Sequence, residues 1–317
     1  MARAHKSHRI AKDDHSPRHA LLASVTSIAL GTVLIAAKAF MYWHGHSASV
    51  LASLMDSISD VIVSVMSFFA IHFSLKPADT GHRYGHGKIE GLAALAQAAM
   101  IAIAGLLLVK ESSSRFFHPV PITGHGMGIA VMLLAIALSI VIVRVQNYTL
   151  KRAPSLAVEA DKAHYEMDIL INAGVAVVLL VLYYGGPPWV DPVFALAVAA
   201  YLARTVWDIG RQGLDMLLDH ELPLPVREHI IARVKSHAGV LGMHDLRTMR
   251  SGMNLFISFD IEVDPDLKLK DAHDITREIE ALLIEDYPHA EIMIHVDPFG
   301  DPYDTRHRIP ETSVRAC

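Results

Sequence analysis

The sequence predicts an α-helical membrane protein with six transmembrane helices and a small C-terminal α+β cytoplasmic domain of order αββαβ. Three observations carry that expectation. Hydrophobic residues make up 52% of the 317 positions, charged residues only 19%, and mean hydropathy is +0.33, too apolar for an ordinary soluble protein. Six apolar segments precede Gly210, each near the ~20 residues needed to cross a bilayer. From about Gly210 the composition becomes that of a soluble domain.

Residues 1–19 interleave Arg3, Lys6, Arg9, Lys12 and Arg18 with His5, His8, His15 and His19. They read as a flexible cytoplasmic arm, a solvated tail in preference to a metal collector. The apolar run that follows is too long for the core of a signal peptide and should stay in the membrane. The six spans are expected at 20–42, 49–74, 91–116, 125–147, 165–185 and 188–208, giving a transmembrane domain over 20–209. Residues 146–161 read as the connection between the fourth and fifth spans. The run Gly185-Gly186-Pro187-Pro188 breaks the fifth from the sixth. Lys and Arg gather in the N-terminal arm, around 75–90 and around 144–152. The alternate connections lack them, apart from Lys110 and Arg115 near the end of the third span. The positive-inside rule then places both termini in the cytoplasm, consistent with an even number of spans.

The cytoplasmic domain is expected over 210–298. A helix runs from Pro223 and Pro225 to His237, with proline near its start. Strands follow at 244–250 and 255–263, the second alternating Leu255, Ile257, Phe259, Ile261 and Val263. Residues 269–287 read as an amphipathic helix with Ile275, Ile279, Leu282 and Leu283 on one face, and 291–296 as a third strand. Residues 299–317 are polar, punctuated by proline, and read as a loose tail.

The chemistry concentrates in two segments far apart in the chain. The second span carries Asp56 and Asp60, and the fifth carries His164 and Asp168. A spacing of four puts each pair on one helix face. Charged groups at membrane depth are costly and by default mark an ion or substrate pathway. Three carboxylates and one imidazole suit a tetrahedral divalent transition metal. Left empty and ionised, the carboxylates would repel, so some should hold protons that an arriving cation displaces. That is a route to metal/proton exchange; a polar interhelical network without an ion is the alternative.

Two further clusters contain ligand types. Asp79, His82 and His86 lie in a Gly-rich loop, either as metal ligands or as a solvated polar turn. In the soluble domain, His295 and Asp297 share a strand face, while His244, Asp260 and His273 lie on neighbouring elements. Spacing alone leaves them as ligands or as surface residues. Lys38, within the first span, is assigned no role.

Other classes are disfavoured. A net charge of −5 offers no basic field for nucleic acid. Cys317 is the single cysteine, so neither an intramolecular disulfide nor a cysteine zinc site can form. The sequence has no His-Glu-x-x-His, no phosphate-binding loop and no Gly-x-Ser-x-Gly, so no enzyme and no ATP-driven pump is expected.

Taken together, these residues resemble the cation diffusion facilitator family, in particular its bacterial zinc and ferrous-iron efflux type. The matching pieces are Asp56-x-x-x-Asp60, Gly81-His82-Arg83-Tyr84-Gly85-His86-Gly87-Lys88-Ile89-Glu90, His164-x-x-x-Asp168, His244-Asp245-Leu246-Arg247-Thr248 and Ile294-His295-Val296-Asp297-Pro298. The resemblance implies a homodimer with a metallochaperone-like C-terminal domain at the dimer contact. It implies a transport site of Asp56, Asp60, His164 and Asp168, and a loop site of Asp79, His82 and His86. It also implies a binuclear C-terminal site drawing on His244, His273, His295 and Asp297, and a salt bridge near the dimer pivot from Lys88, with Asp219 as partner. Asp260 stands where close relatives carry histidine; a carboxylate ligates but is harder and less zinc-selective.

The expected function is export of Zn²⁺, with Fe²⁺ or Cd²⁺ as further cargo, from the cytoplasm in exchange for H⁺ across the bacterial inner membrane. No prosthetic group is expected; Zn²⁺ serves as substrate and as a structural or regulatory ligand. A membrane-anchored metal sensor or scaffold, an exporter preferring Mn²⁺ or Co²⁺, and a passive channel are the alternatives.

Overall fold

A computed structural model describes residues 18–45, 48–117, 126–187 and 189–300. Six long helices come first: α1 Arg18–Gly45, α2 Ala48–Ser74, α3 Ile89–Phe117, α4 Gly126–Leu150, α5 Leu156–Tyr183 and α6 Val190–Leu217. The smaller elements follow: α7 Leu224–Lys235, β1 Gly242–Ser251, β2 Asn254–Val263, α8 Leu269–Asp286 and β3 Ala290–Pro298. The chain divides into two compact units at Leu214 and Asp215. Of the expected N-terminal arm, only Arg18 and His19 are described, and they open α1; the expected tail is described only at Phe299 and Gly300.

Among the described residues, α1, α2, α3, α4 and α6 each contain a stretch long and apolar enough to cross a membrane. The remaining long helix, α5, carries Glu159, Asp161, Lys162, Glu166 and Asp168 in its first half. From Ile169 to Leu182 it is apolar apart from Asn172 and the small residues Ala173, Gly174 and Ala176. Its neighbours account for the polar half, since α5 packs against α1, α2, α3 and α4. Asp161, His164 and Asp168 on it therefore face protein, the arrangement a bilayer imposes. The membrane unit is accordingly polar inside and apolar outside. Ser27, Ser64, Ser67, Gln97, Gln146 and Asp161 are buried, while Leu22, Val33, Phe40, Leu106, Leu107 and Trp207 are exposed.

The stretch 146–161 departs from expectation. It was expected as a connection, yet α4 continues through Leu150 and α5 begins at Leu156. The polar residues that suggest a loop are instead bonded between helices: Gln146 Nε2 donates to Asp161 Oδ2 at 2.7 Å. Similarly, α6 runs through Gly210 to Leu217. Gly174 of α5 lies under the ring of Phe194 of α6. A Cβ on Gly174 would lie 1.7 Å from the Phe194 ring, so only glycine admits that ring.

In the C-terminal unit the expected αββαβ order forms a sheet of order β1-β2-β3, with β1 antiparallel and β3 parallel to β2. The alternation along β2 sorts its two faces. Ile257, Phe259, Ile261 and Val263 are buried in one cluster with Ile230 and Val234 of α7 and Ala272, Ile279 and Leu283 of α8. Each such large apolar side chain contributes roughly 1.5–3 kcal/mol on burial. The other face is left to Ser258, Asp260 and Glu262. The sheet register sets Asp260 opposite both His244 and His295, and Glu262 opposite Asp297.

Candidate metal transport site

Asp60 on α2 and His164 on α5 meet directly, with His164 Nε2 2.8 Å from Asp60 Oδ1. Asp168, one turn further along α5, brings Oδ2 to 3.9 Å from the same nitrogen. One ligand atom from each of Asp60, His164 and Asp168 lies within 4.8 Å of the others. Around tetrahedral zinc, with bonds of about 2.0–2.2 Å, ligand atoms stand roughly 3.3–3.5 Å apart. To hold an ion, the 2.8 Å pair would open and the 3.9 Å pair would close, each by roughly half an ångström. The side chain of Asp56 lies outside the described residues; its backbone is in α2, one turn before Asp60. A cavity of about 30 Å³, lined in part by Asp60 and Asp168, adjoins the cluster.

One turn before His164, buried Asp161 accepts from Ser64 at 3.0 Å and from Gln146 at 2.7 Å. The Ser64 hydroxyl also pairs with the Tyr165 hydroxyl at 3.0 Å, and Gln146 donates to Ser27 at 3.1 Å. This network ties α1, α2, α4 and α5 together beside the cluster. It was not anticipated, although Asp161 stands three residues before His164 and so shares its helix side.

The loop cluster is assembled by turn geometry. Asp79 Oδ1 accepts the backbone N–H groups of Gly81 at 2.8 Å and His82 at 2.7 Å. The His82 backbone bond, foremost, holds the Asp79 carboxyl below the usual carboxylate range. Gly85, with φ of 74°, supplies the left-handed turn, and the His82 and His86 rings stand 4.4 Å apart. His86 Nε2 is 3.5 Å from Asp79 Oδ2, and its buried Nδ1 has no hydrogen-bond partner among the described residues. A ligand atom from each of Asp79, His82 and His86 lies within 4.8 Å of the others.

In the C-terminal unit, Asp297 joins two imidazoles: its Oδ2 lies 3.4 Å from His244 Nε2 and its Oδ1 3.1 Å from His295 Nε2. His244 Nδ1 is 3.6 Å from Asp260. Burial, first of all, raises the Asp260 carboxyl above its ordinary value, against the pull of His244 and His295. Two participants were missed. Glu262 is buried with Oε1 3.8 Å from His244, and Asp245 joins His244 and Asp260 in a group spanning 4.8 Å. The two-residue spacing of Asp260 and Glu262 was the available signal for Glu262. For Asp245 there was none. The β1–β2 register shifts between His244 and Arg247, and Asp245 takes φ of 50°, a bulge that re-aims its side chain. His273, on α8, is exposed, and the structure does not bring it to this cluster. Lys88 directly precedes α3, and its carbonyl accepts from Gly91. Asp219 follows α6 in the other unit with φ of 57°.

The fold and the clusters define a polytopic membrane protein with metal-ligand groups both within its helices and in its soluble domain. Comparison with known proteins agrees. Residues 24–218 match the family model for the cation efflux transmembrane domain, and residues 222–299 match that for the cation efflux protein, cytoplasmic domain. The chain belongs to the cation efflux family, the cation diffusion facilitators. It is 40% identical over 277 residues to the "Cation-efflux pump FieF" of Shewanella oneidensis, covering 87% of this chain and 93% of that protein. It is 36% identical over 294 residues to the protein of that name from Yersinia enterocolitica, covering 92% and 98%. Among solved structures, the metal-bound C-terminal domain of the CzcD transporter from Thermotoga maritima is 33% identical, over 25% of this chain and 94% of that one, with a TM-score of 0.24. The cytosolic domain of a cation diffusion facilitator family protein is 34% identical over the same shares, also with a TM-score of 0.24.

Proposed function

We propose that this cation efflux protein exports Zn²⁺, with Fe²⁺ or Cd²⁺ as further cargo, from the cytoplasm in exchange for H⁺. The observation that carries the reading is the convergence of Asp60, His164 and Asp168 from two membrane helices within 4.8 Å. Asp56 completes the set. A nitrogen and carboxylate oxygens suit borderline divalent metals. A proton held between His164 and Asp60, 2.8 Å apart, gives way to the ion in this reading. Metal arrives from the cytoplasm, the helices rock, and protons taken up from outside displace it. The protein works as a homodimer in the bacterial inner membrane with both termini cytoplasmic. Residues 20–209 form the transporting domain and 210–298 the sensing and dimerising one. Asp79, His82 and His86 hold metal at the loop. His244, Asp260, His295 and Asp297, with His273 reaching in only after rearrangement, hold it at the C-terminal domain. Lys88 and Asp219 each contribute to the dimer contact. The names of the FieF relatives support efflux.

Reconstituted in vesicles, the protein is expected to take up zinc saturably and only with a pH gradient. Asp60→Ala should fold and abolish uptake; wild-type flux in that variant refutes the site. The C-terminal cluster favours one second reading, a membrane-anchored metal sensor, for which no vesicle flux is the signature.

A further inference from the structure

Lys38 is 3% exposed in the interior of α1, and apart from Arg18 it is the only Lys or Arg on that helix. A lysine near a helix end usually extends its ammonium to the membrane surface. This one turns inward: Nζ donates to Ser57 Oγ at 2.6 Å. Ser57 lies three residues before Asp60 on α2, on the same helix side. Lys38, Ser57, Asp60, Tyr165, Asp168 and Asn172 line one cavity of about 30 Å³. The cavity that adjoins the ion cluster thus holds a resident cation.

We propose that Lys38 is a tethered counter-cation of the transport site. Its ammonium balances the carboxylates while the site is empty and repels a divalent ion once bound. A charged group at membrane depth persists only where opposite charge or polar contacts compensate it, and the acidic cluster provides that compensation. The consequence for transport is a deliberately weakened site. Metal binds against a fixed positive charge, so release on the far side is faster than three acidic and imidazole ligands alone would permit. The inference rests on the proposed transport role of Asp60, His164 and Asp168.

The test uses full-length protein in vesicles, comparing wild type, Lys38→Gln, Lys38→Arg and Asp60→Ala after each is confirmed monodisperse. With zinc, Lys38→Gln is expected to lower KM about tenfold and to lower the maximal rate, because removing a nearby like charge tightens binding and slows release. Lys38→Arg keeps the charge and should stay near wild type. A merely structural lysine gives the opposite signature, a KM that is unchanged or raised, and that result overturns the proposal. If Lys38→Gln does not reconstitute, Lys38→Met in detergent answers the same question by calorimetry on the zinc-binding component that Asp60→Ala removes. Tighter binding supports the proposal; equal or weaker binding overturns it. Full flux in Asp60→Ala would fell the transport site itself. An inactive Asp60→Ala beside a Lys38→Gln of unchanged KM fells only the role of Lys38.

Discussion

Asp60 and His164 are 104 positions apart in the chain and 2.8 Å apart in space. Each was readable from its own helix, because a four-residue spacing of ligand types inside an apolar run has few structural uses. What the sequence did not disclose was company that depends on tertiary contact. Lys38 has no role that the sequence alone assigns, and only the fold brings it to Ser57. Glu262 was hidden for a similar reason: only the pairing of three strands sets it next to His244 and Asp297. Asp260 is the residue with the clearest chemical consequence at this scale. A carboxylate in place of imidazole makes the C-terminal cluster harder. Asp260→His is expected to shift its preference toward Zn²⁺ over Mn²⁺ by about tenfold, since thiolate-free nitrogen sites favour zinc. Competition calorimetry on the full chain measures this, and an unchanged ratio shows that Asp260 is not a ligand.

Helices were placed well by hydropathy, and their ends poorly. Gln146 and Asp161 carried the polarity that made 146–161 look like a connection, yet they bond to one another within the bundle. Hydropathy cannot distinguish a polar residue that faces water from one that faces another helix. The Asp161 network is therefore an element-scale fastener, and it should behave as one. Asp161→Ala removes the acceptor that Ser64 and Gln146 share and leaves them only Tyr165 and Ser27, at a cost of about 1–3 kcal/mol for the hydrogen bonds lost. A lowered thermal midpoint in detergent is the expected result, and an unchanged one removes the fastening role. In the C-terminal unit, α7 and α8 are clamped by Asp286, which accepts from His229 at 3.0 Å and Arg233 at 2.8 Å. The His229 bond, foremost, holds Asp286 below its ordinary value of 3.8. A depressed carboxylate stabilises the fold above its unfolded pKa, and that contribution disappears as pH falls through the folded value. Calorimetric unfolding of the unit should thus weaken on acidification below about pH 4. Asp286→Asn should flatten that part of the profile.

For the molecule as a whole, composition and periodicity sufficed to divide membrane from soluble parts and to order the αββαβ elements. They could not fix where one unit ends, because α6 continues through Gly210 without a break in helix. The clusters fared unevenly for a physical reason. Candidate ligands one turn apart on a helix are nearly fixed by spacing, as at His164 and Asp168. Ligands gathered by a sheet depend on register and on a bulge such as that at Asp245. His273 shows the limit, since its place on α8 carries no information about which side of the sheet it serves.

Glu90 is fully buried at the start of α3. It accepts from Ser74 at the end of α2 at 2.8 Å, and from Ser155 and the backbone N–H of Leu156 at the start of α5 at 2.7 and 3.0 Å. One carboxylate thereby rivets three helix tips into a single block, seated at the positive end of α5. In the proposed transport cycle, these tips would travel in unison as Asp60 and Asp168 change membrane face. The two helices that carry Asp60, His164 and Asp168 share an anchored base, and any parting of them is a matter of bending beyond it.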